Sequence, residues 1–423
     1  MRFVRRLWPV LLVLVAVVLW VAAGVAADPN DPYWPNEWGP VLTRASDLWQ
    51  YTTGSPSIVI AVVDTGYTAP HLNDMEHVIP GWDILGNDSN TTDTFGHGTW
   101  VSTIIGAQGN NGIGMAGYCW QCSIMPIKVA SGREGTISGD IAAGIRYAVD
   151  HGARIVNVSL ASNQFDESEL GAVEYANDNG VLVVASAGNG GNTAPLYPAY
   201  YGTTQPGVLA VAGTDQNDQL YSWSTRGPWV QLSAPGEEEF LDPWIGPADA
   251  FGSSFGPPAV SGIAGLLMSL DPSLTMYQVA GALEATAVPV AGIGGGRVDA
   301  WAAAHYLGLV PATPPAPPPA TQPTVVPPSP QVQVTTGFVR RSGVVPLALA
   351  PGRLEIQLTG PAAKDCTMSV RVDGQLVVDL AAERTVSTLA TTIRKGGAYP
   401  VALRCSSMNR KAYEFTATAF FAN

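Results

Sequence analysis

Charged residues are scarce in this chain of 423 residues, since Asp, Glu, Lys and Arg together make up only 13% of it. Residues 28–330 hold 7 basic side chains against 28 acidic ones, a net charge of −21. Residues 331–423 hold 11 basic and 6 acidic side chains, a net charge of +5. Nucleic-acid binding depends on Lys and Arg that neutralise phosphates. The acidic main body therefore excludes nucleic acid as the expected partner.

Cysteine is also rare, with four in the chain, too few for a small scaffold built on disulfides. Cys119 and Cys122 are separated by two residues, but a zinc site of this type needs a second such pair, which the sequence lacks. A redox-active pair needs a thioredoxin-like setting. A short-range disulfide is therefore favoured over zinc and redox chemistry. Cys366 and Cys405 are expected to pair with each other in the C-terminal region.

Long apolar runs are missing except at the N-terminus, where three Arg residues precede an apolar stretch over residues 7–27. The small residues that end this stretch are typical of signal-peptidase cleavage, which predicts a signal peptide over residues 1–27. We therefore expect a secreted, extracellular protein. The stretch also approaches the ~20 residues that span a bilayer, so the alternative is an uncleaved anchor, and only then a membrane contact.

Proline is concentrated in residues 311–330, where half of the positions are Pro. Such a segment forms neither a helix nor an inner strand and is typical of an extended linker. It separates a body over residues 28–310 from a C-terminal domain over residues 331–423. In that domain apolar and polar residues alternate, as in Leu354–Leu358, without a helical period. This pattern predicts an all-β, sandwich-like domain.

The body alternates strand-like and helix-like segments. Ser57–Val63 and Gly180–Ala187 are almost wholly apolar, as is typical of strands buried on both faces. Helical patterns follow at Ser138–His151 and Glu167–Asn179. This alternation predicts an α/β fold in which helices cover a mostly parallel sheet.

Four polar residues lie within two positions of a glycine, at predicted strand ends or helix starts: Asp64, His97, Asn189 and Ser254. Nucleophilic acyl transfer needs a serine hydroxyl, an imidazole that takes its proton, a carboxylate that orients the imidazole, and donors for the developing oxyanion. Each residue alone has an ordinary explanation as a turn, a helix cap or a left-handed residue. All four in one chain favour catalysis.

The sequence around these four residues resembles the subtilisin-like serine proteases, or subtilases, over about residues 28–309. Matching stretches are Asn30–Tyr33, Gly191–Pro195, Tyr197–Tyr201, Thr214–Asp218 and Gly296–Ala300. The resemblance implies a subtilisin-like three-layer fold and a serine endopeptidase that forms an acyl-enzyme. It implies Ser254 as nucleophile, His97 as general acid/base and Asp64 as its orienting partner. Asn189 is then the oxyanion-hole donor.

The same resemblance places the substrate. Ser159, Leu160 and Ala161 are expected beside an extended protein or peptide substrate, with residues 134–136 as the edge strand that pairs with it. Leu196 falls where the family has the floor of the pocket for the residue before the scissile bond. An apolar floor favours an apolar side chain there. Ordinary core packing is the alternative for Leu196.

Structural calcium is also implied by the resemblance, bound by oxygen atoms of a loop and of the N-terminal segment. Asp31 and Asn111 match family ligands. The family's acidic ligand falls on Asn73, with Asp74 beside it, so a weaker site or one that uses Asp74 is expected. A solvated acidic loop is the alternative.

Several residues depart from the family pattern, among them Ser253, a mild change from the usual Thr. Trp100 replaces a second His, and Phe255 replaces a Met that is prone to oxidation, which predicts activity that survives mild peroxide. Gly256 is expected to loosen the first turn of the following helix. None of these changes removes a catalytic group.

A rival class is a binding or adhesion protein that has a retired protease body and a functional C-terminal domain. The intact set of four polar residues favours the enzyme. The family's usual pro-domain has no counterpart between residues 28 and 64. The basic C-terminal domain is therefore expected either to dock on the acidic body, as an intramolecular partner, or to bind an anionic surface.

Overall fold

The computed structural model describes residues 28–70, 72–132, 138–244 and 246–312, together with the backbone of eight strands between residues 331 and 421. The expected signal peptide and most of the expected Pro-rich linker lie outside the described residues. No helix within the described part of the chain is long and apolar enough to cross a membrane.

The body is built on one central sheet and one hairpin. Its strands are β1 (Val59–Asp64), β2 (Trp82–Asp83), β3 (Ser123–Lys128), β4 (Ile155–Val158), β5 (Leu182–Ser186), β6 (Val208–Thr214), β7 (Leu232–Pro235), β8 (Glu237–Asp242), β9 (Gly246–Phe251), β10 (Val288–Pro289) and β11 (Gly296–Arg297). The central sheet has the order β10-β11-β7-β6-β5-β4-β1-β3-β2, whereas β8 and β9 pair as a separate antiparallel hairpin. The pairings from β2 to β7 are all parallel, which confirms the predicted mostly parallel sheet.

Helices cover both faces of this sheet. They are α1 (Trp38–Leu42), α2 (His97–Gly106), α3 (Ser138–Asp150), α4 (Glu167–Asp178), α5 (Gly256–Leu270), α6 (Met276–Ala285) and α7 (Ala300–Tyr306), and short 3-10 turns span Trp34–Asn36, Ser46–Leu48 and Ala199–Thr203. The predicted helices at Ser138 and Glu167 begin where expected and end one residue early.

The alternation of β1 shows why the fold has three layers. Successive residues of a strand point to opposite faces. Ile60 and Val62 join the core that α2, α5, α6 and α7 cover. Ala61 and Val63 join the second core, under α3 and α4. All four side chains are almost fully buried. The apolar run is thus continuous because neither face of the strand meets water.

The C-terminal region is described by its backbone. Its strands are β12 (Gln331–Arg340), β13 (Gly343–Leu349), β14 (Gly352–Thr359), β15 (Cys366–Val372), β16 (Gln375–Ala381), β17 (Val386–Ile393), β18 (Gly397–Cys405) and β19 (Ala412–Phe421). They pair antiparallel in two four-stranded sheets, β12-β19-β14-β17 and β13-β18-β15-β16. Cys366 lies directly opposite Cys405 in this register.

Candidate active site

Two of the four predicted side chains come from the carboxyl ends of strands in the parallel sheet, and the other two lie at or just before the starts of helices. Asp64 is the last residue of β1, and Asn189 follows β5 by three residues. His97 opens α2, and Ser254 precedes α5 by two residues. Sheets of this kind bind ligands at the carboxyl ends of their strands, because the loops that follow the strands converge there.

Asp64 and His97 form a direct carboxylate–imidazole pair. The distance from His97 Nδ1 to Asp64 Oδ1 is 2.7 Å, and the Asp64 side chain is completely buried. The same oxygen accepts the backbone N–H of Thr65 at 2.8 Å. A buried carboxylate oxygen at this distance accepts a hydrogen bond from the Nδ1–H, so that Nε2 is the basic nitrogen of the neutral imidazole tautomer.

The pair forms because two backbone turns approach each other closely. A Cβ atom on Gly98 would collide with the carbonyl oxygen of Gly66, so only glycine fits there. The N–H of Gly98 donates to Thr65 Oγ1 at 2.8 Å. This hydrogen bond fastens the start of α2 to the turn that follows Asp64.

Asp93 is a further residue of this region that the sequence prediction missed. Its Oδ1 accepts the N–H groups of Phe95 and Gly96, at 2.9 and 2.7 Å. Its Oδ2 accepts the N–H and the hydroxyl of Thr99, at 3.0 and 2.8 Å. The carboxylate therefore caps the helix that begins at His97. An acidic residue four positions before a Gly-framed His was the available signal.

On the serine side, the Asn189 amide and the Ser254 backbone belong to one hydrogen-bonded network. Asn189 Oδ1 accepts the N–H of Ser253 at 2.8 Å. Ser159 Oγ donates to the carbonyl oxygen of Ser254 at 2.8 Å. Ser159 thus lies beside the predicted nucleophile. The Ser253 hydroxyl meets the Ser186 hydroxyl at 2.7 Å, away from these groups.

Two buried residues that the sequence prediction missed support Ser159. Asn157 Nδ2 donates to Ser159 Oγ at 3.0 Å, and Ser261 Oγ donates to Asn157 Oδ1, also at 3.0 Å. Asn157 and Ser261 are both fully buried. An Asn inside the otherwise apolar β4 was the one sequence signal, because a buried amide needs partners. The partner on α5 is more than a hundred residues away in the chain.

That Gly256 loosens the first turn of the next helix stays a prediction, but the structure shows how closely this glycine packs. Helix α5 begins at Gly256 itself, and Pro257 and Pro258 occupy its first turn, which tolerates Pro. A Cβ atom on Gly256 would lie 2.9 Å from the Val211 side chain. The glycine therefore allows close packing of the helix on β6.

The predicted pocket residues lie in two segments that meet. The N–H of Ser162, directly after Ala161, donates to the carbonyl oxygen of Tyr197 at 2.9 Å, and the reciprocal bond measures 2.8 Å. Leu196 packs so closely on Gly188 that a Cβ atom there would collide with Leu196 Cδ1. Leu196 is thus next to the turn that carries Asn189. The expected edge strand at residues 134–136 lies outside the described residues.

Of the expected calcium ligands, the structure brings three together and leaves one aside. Asp31 accepts the N–H groups of Asn110, Asn111 and Gly112 at 2.5, 3.0 and 3.1 Å. Asp74 accepts the Asn111 side-chain amide at 2.7 Å and the N–H of Met115 at 2.9 Å. These contacts fasten the N-terminal segment to the 110–115 loop.

Asn73 is exposed and has only a backbone hydrogen bond to Pro70 in the described structure. Within that part of the chain, no cluster of three or more His, Cys, Asp or Glu side chains is arranged to hold a metal. Burial raises the pKa of Asp74 to about 7, and the nearby Asp31 carboxylate adds to the shift. Neither Asp31 nor Asp74 has a cationic side chain within ion-pair distance among the described residues.

Cys119 and Cys122 form a disulfide, with an S–S distance of 2.06 Å. The bond lies in the loop before β3, and both residues are fully buried. This pair agrees with the expectation from the sequence.

Comparisons with known proteins give one consistent answer. The profile of the peptidase S8, or subtilase, family matches residues 55–314. Thermitase of Thermoactinomyces vulgaris is 39% identical over 284 residues, covering 66% of this chain and 99% of thermitase. The halolysin-like extracellular serine protease Nep of Natrialba magadii is 34% identical over 286 residues, covering 64% of this chain and 52% of Nep. A solved protease structure from Pseudoalteromonas arctica PAMC 21717 has a TM-score of 0.60 at 25% identity, covering 66% of this chain and 99% of that one.

The matched segment contains Asp64, His97, Asn189 and Ser254, and it ends where the proline-rich region begins. Nearly the whole length of thermitase aligns with the body. The three-layer fold and the carboxylate–imidazole pair at its sheet edge fit the same assignment. The chain therefore belongs to the subtilase family and is a subtilisin-like serine endopeptidase.

Proposed function

We propose that this protein is a secreted endopeptidase that cleaves peptide bonds through an acyl-enzyme on Ser254. The observation that carries the proposal is the 2.7 Å contact between His97 Nδ1 and Asp64 Oδ1. The hydrogen bond from the Ser253 N–H to Asn189 Oδ1, next to Ser254, supports the same proposal.

In the first step, the Ser254 hydroxyl attacks the carbonyl carbon of the scissile peptide bond, and His97 Nε2 takes its proton. Asp64 holds the Nδ1 proton and stabilises the imidazolium, but it does not itself become protonated. The peptide C–N bond then breaks, and His97 gives its proton to the leaving amine. Water attacks the acyl-enzyme by the reverse sequence, which releases the acid and restores the Ser254 hydroxyl.

The tetrahedral intermediate carries a negative oxygen that needs hydrogen-bond donors. The Asn189 side-chain N–H and the backbone N–H of Ser254 are the donors in this proposal. The bond from the Ser253 N–H to Asn189 Oδ1 supports the role of Asn189, because it fixes the oxygen end of the amide and so defines where the nitrogen end points. Such a donor is in place before the charge develops.

The substrate is proposed to be an extended protein or peptide, with an apolar residue before the scissile bond. Ser159, Leu160 and Ala161 line one side, and Leu196 lies against Gly188 on the other. An apolar Leu196 leaves a basic side chain without a partner at this place. A peptide library that showed a preference for Lys or Arg would contradict the pocket assignment.

Calcium is proposed as a structural ion, held by oxygen atoms of Asp31, Asp74 and Asn111. Asp31 and Asp74 share one loop without a neighbouring cationic side chain among the described residues, and a divalent cation would relieve their repulsion. Asn73 is not part of this set. The ion would staple the N-terminal segment to the body and has no part in the chemical steps.

The chain organisation is part of the proposal. Residues 1–27 serve as the signal peptide, residues 28–310 as the peptidase domain, 311–330 as a linker and 331–423 as an all-β domain. The opposed register of Cys366 and Cys405 supports a second disulfide there. The extracellular relative Nep supports secretion. The +5 charge of the last domain suits an anionic surface or the acidic body itself.

A fluorophosphonate probe tests the catalytic assignment, because it reacts only with an activated serine. We expect labelling of the purified protein, loss of label and of peptide cleavage in Ser254→Ala, and retention of both in Ser253→Ala. Ser253 is the matched control, since its hydroxyl is one residue away and bonds Ser186 instead. A folded wild-type protein that takes no label would support the alternative hypothesis, a binding protein whose protease domain is inactive.

A further inference from the structure

Two aromatic rings lie next to the His97 imidazole. The Trp100 ring lies 5.9 Å from it, edge to face, and the Phe255 ring lies 6.3 Å from it. Phe240 stacks on both, at 4.7 Å from Trp100 and 5.7 Å from Phe255. These three rings, the ring stack, come from α2, from β8 and from the residue after Ser254. The ring stack thus bridges the two segments that carry the proposed base and nucleophile.

The Trp100 indole is held in place by a carboxylate of the β8–β9 hairpin. Trp100 Nε1 donates to Asp242 Oδ2 at 2.9 Å, and Asp242 Oδ1 accepts the N–H of Trp244 at 2.9 Å. One helical turn further on, the N–H of Leu241 donates to Thr103 Oγ1 at 3.1 Å. The hairpin is therefore hydrogen-bonded to α2 at two successive turns, on the same face of the helix.

Gly96, the residue before His97, is enclosed by the same groups. A Cβ atom there would lie 3.0 Å from the Trp244 ring and 3.1 Å from Trp100 Nε1. Its φ is +106°, in the left-handed region that favours glycine. The backbone that leads into His97 is thus packed against both indoles.

We infer that Trp100, held by Asp242, is a positioning residue that fixes the tilt of the His97 ring for proton transfer; this inference rests on the general-base role proposed for His97. The bond to Asp64 fixes one edge of the imidazole but leaves rotation about that edge. Trp100 and Phe255 lie next to the ring and restrict this rotation. A misplacement of about 1 Å can cost about 10²-fold in rate, so a modest loosening is measurable.

The test uses Trp100→Phe, Asp242→Ala and the double variant, with active sites counted by end-point fluorophosphonate titration. Trp100→Phe keeps a ring but removes the N–H that Asp242 accepts. We expect kcat and the labelling rate per active site to fall about tenfold in each single variant. We expect the KM of a peptide substrate to stay within about twofold. Trp100 lies next to the proposed general base, His97, and not among the proposed pocket residues.

The double variant separates positioning from unrelated damage. If Asp242 acts on His97 through Trp100, Asp242→Ala has no further effect on kcat in the Trp100→Phe background. Losses that multiply would overturn the inference, as would single variants with wild-type kcat and labelling rate. Trp301→Phe is the control, since Trp301 is a buried indole on α7 whose Nε1 has no hydrogen-bond partner in the described structure. An equal loss of kcat per site in this control would also overturn it.

Phe240→Leu provides a second route if Trp100→Phe does not yield folded protein. It removes the middle ring of the ring stack and leaves the bond between Trp100 and Asp242 in place. The inference again requires a lower kcat per active site with little change in KM, and an unchanged kcat would overturn it. Failure of the general-base role itself looks different, because the wild-type protein would then take no label.

Discussion

Asn189 and Ser253 are joined by a hydrogen bond in which the Asn189 side-chain oxygen accepts the Ser253 N–H at 2.8 Å. The bond ties the turn after β5 to the segment that carries Ser254. It therefore makes the two ends of the Asn189 amide separable by mutation, because one end has a structural partner and the other is the proposed oxyanion donor.

Asn189→Asp keeps an oxygen for the Ser253 N–H but removes the amide donor and places a negative charge near the developing oxyanion. We expect kcat to fall by about 10²–10³ or more, with little change in KM, because the lost interaction exists only in the transition state. Steady-state kinetics on a peptide amide measure both constants. Asn189→Ala, which removes both ends, serves for comparison, and a kcat of Asn189→Asp within threefold of wild type would argue against the oxyanion role.

Much of this site can be predicted from the sequence, because glycine residues stand close to the candidate residues. Gly66 and Gly98 mark places where backbones touch, Gly96 lies against two indole rings, and Gly66 and Gly96 have a positive φ. The buried strands are equally legible, since β1 and β5 are apolar at nearly every position. Side chains that stand at such turns can therefore be recognised as candidates from the order of residues alone.

What the sequence does not reveal is which distant side chains support the candidates. The Ser261 hydroxyl reaches Ser254 through Asn157 and Ser159, a path that depends on where α5 crosses β4. Asp242 reaches Trp100 across 142 positions. The choice between the neighbours Asn73 and Asp74 is of the same kind, because it is the fold of the loop that gives Asp74 the N–H of Met115. These relationships are tertiary, and local patterns carry no signal for them.

Because Phe255 stands where the family has an oxidisable Met, the peptidase activity is expected to survive mild peroxide. The Phe255 ring is buried directly after Ser254 and contacts the His97 ring, so a sulfur atom at this position would lie beside the catalytic groups. We expect the wild-type enzyme to retain most of its activity in mild peroxide, whereas Phe255→Met loses most of it as the sulfoxide forms. Residual kcat and the mass of the peptide that contains residue 255 are the measurements. Equal losses in both proteins would mean that another residue is the sensitive one.

Calcium is predicted to raise the stability of the folded protein by binding near Asp31 and Asp74, which both contact the loop of residues 110–115. A ligand that binds only the folded state adds about 2.7 kcal/mol at a concentration of 100 times Kd. In the Ser254→Ala background, which prevents self-cleavage, calcium should raise the Tm and EGTA should lower it. Asp31→Asn should remove most of the response, whereas Asp178→Asn, an exposed change on α4, should keep it. A Tm that does not change with calcium would show that the hydrogen bonds of Asp31 alone hold the N-terminal segment on the 110–115 loop.

The buried carboxyl group of Glu169 is expected to make the folded protein less stable at alkaline pH. The Glu169 side chain is fully buried near the start of α4, where an interaction with the Tyr201 side chain offsets only part of the cost of a buried charge. Burial raises its pKa from the ordinary value of 4.5 to about 8, and the neighbouring Asp166 carboxylate adds to the shift. The folded protein therefore holds this proton up to about pH 8, whereas the unfolded chain releases it above about 4.5.

Between those two pH values the folded state binds more protons than the unfolded state, so the contribution of Glu169 to stability is fully present below pH 4.5 and is lost towards pH 8. The loss approaches about 1.4 kcal/mol per pH unit for one proton. Burial also raises the pKa of Glu37 and Glu238, so the comparison must be made between variants. Urea unfolding of Ser254→Ala at pH 5 and pH 8 gives the reference difference in unfolding free energy. Adding Glu169→Gln should shrink that difference, whereas Glu167→Gln, an exposed change in the same helix, should leave it unchanged; equal differences in all three proteins would contradict the assignment.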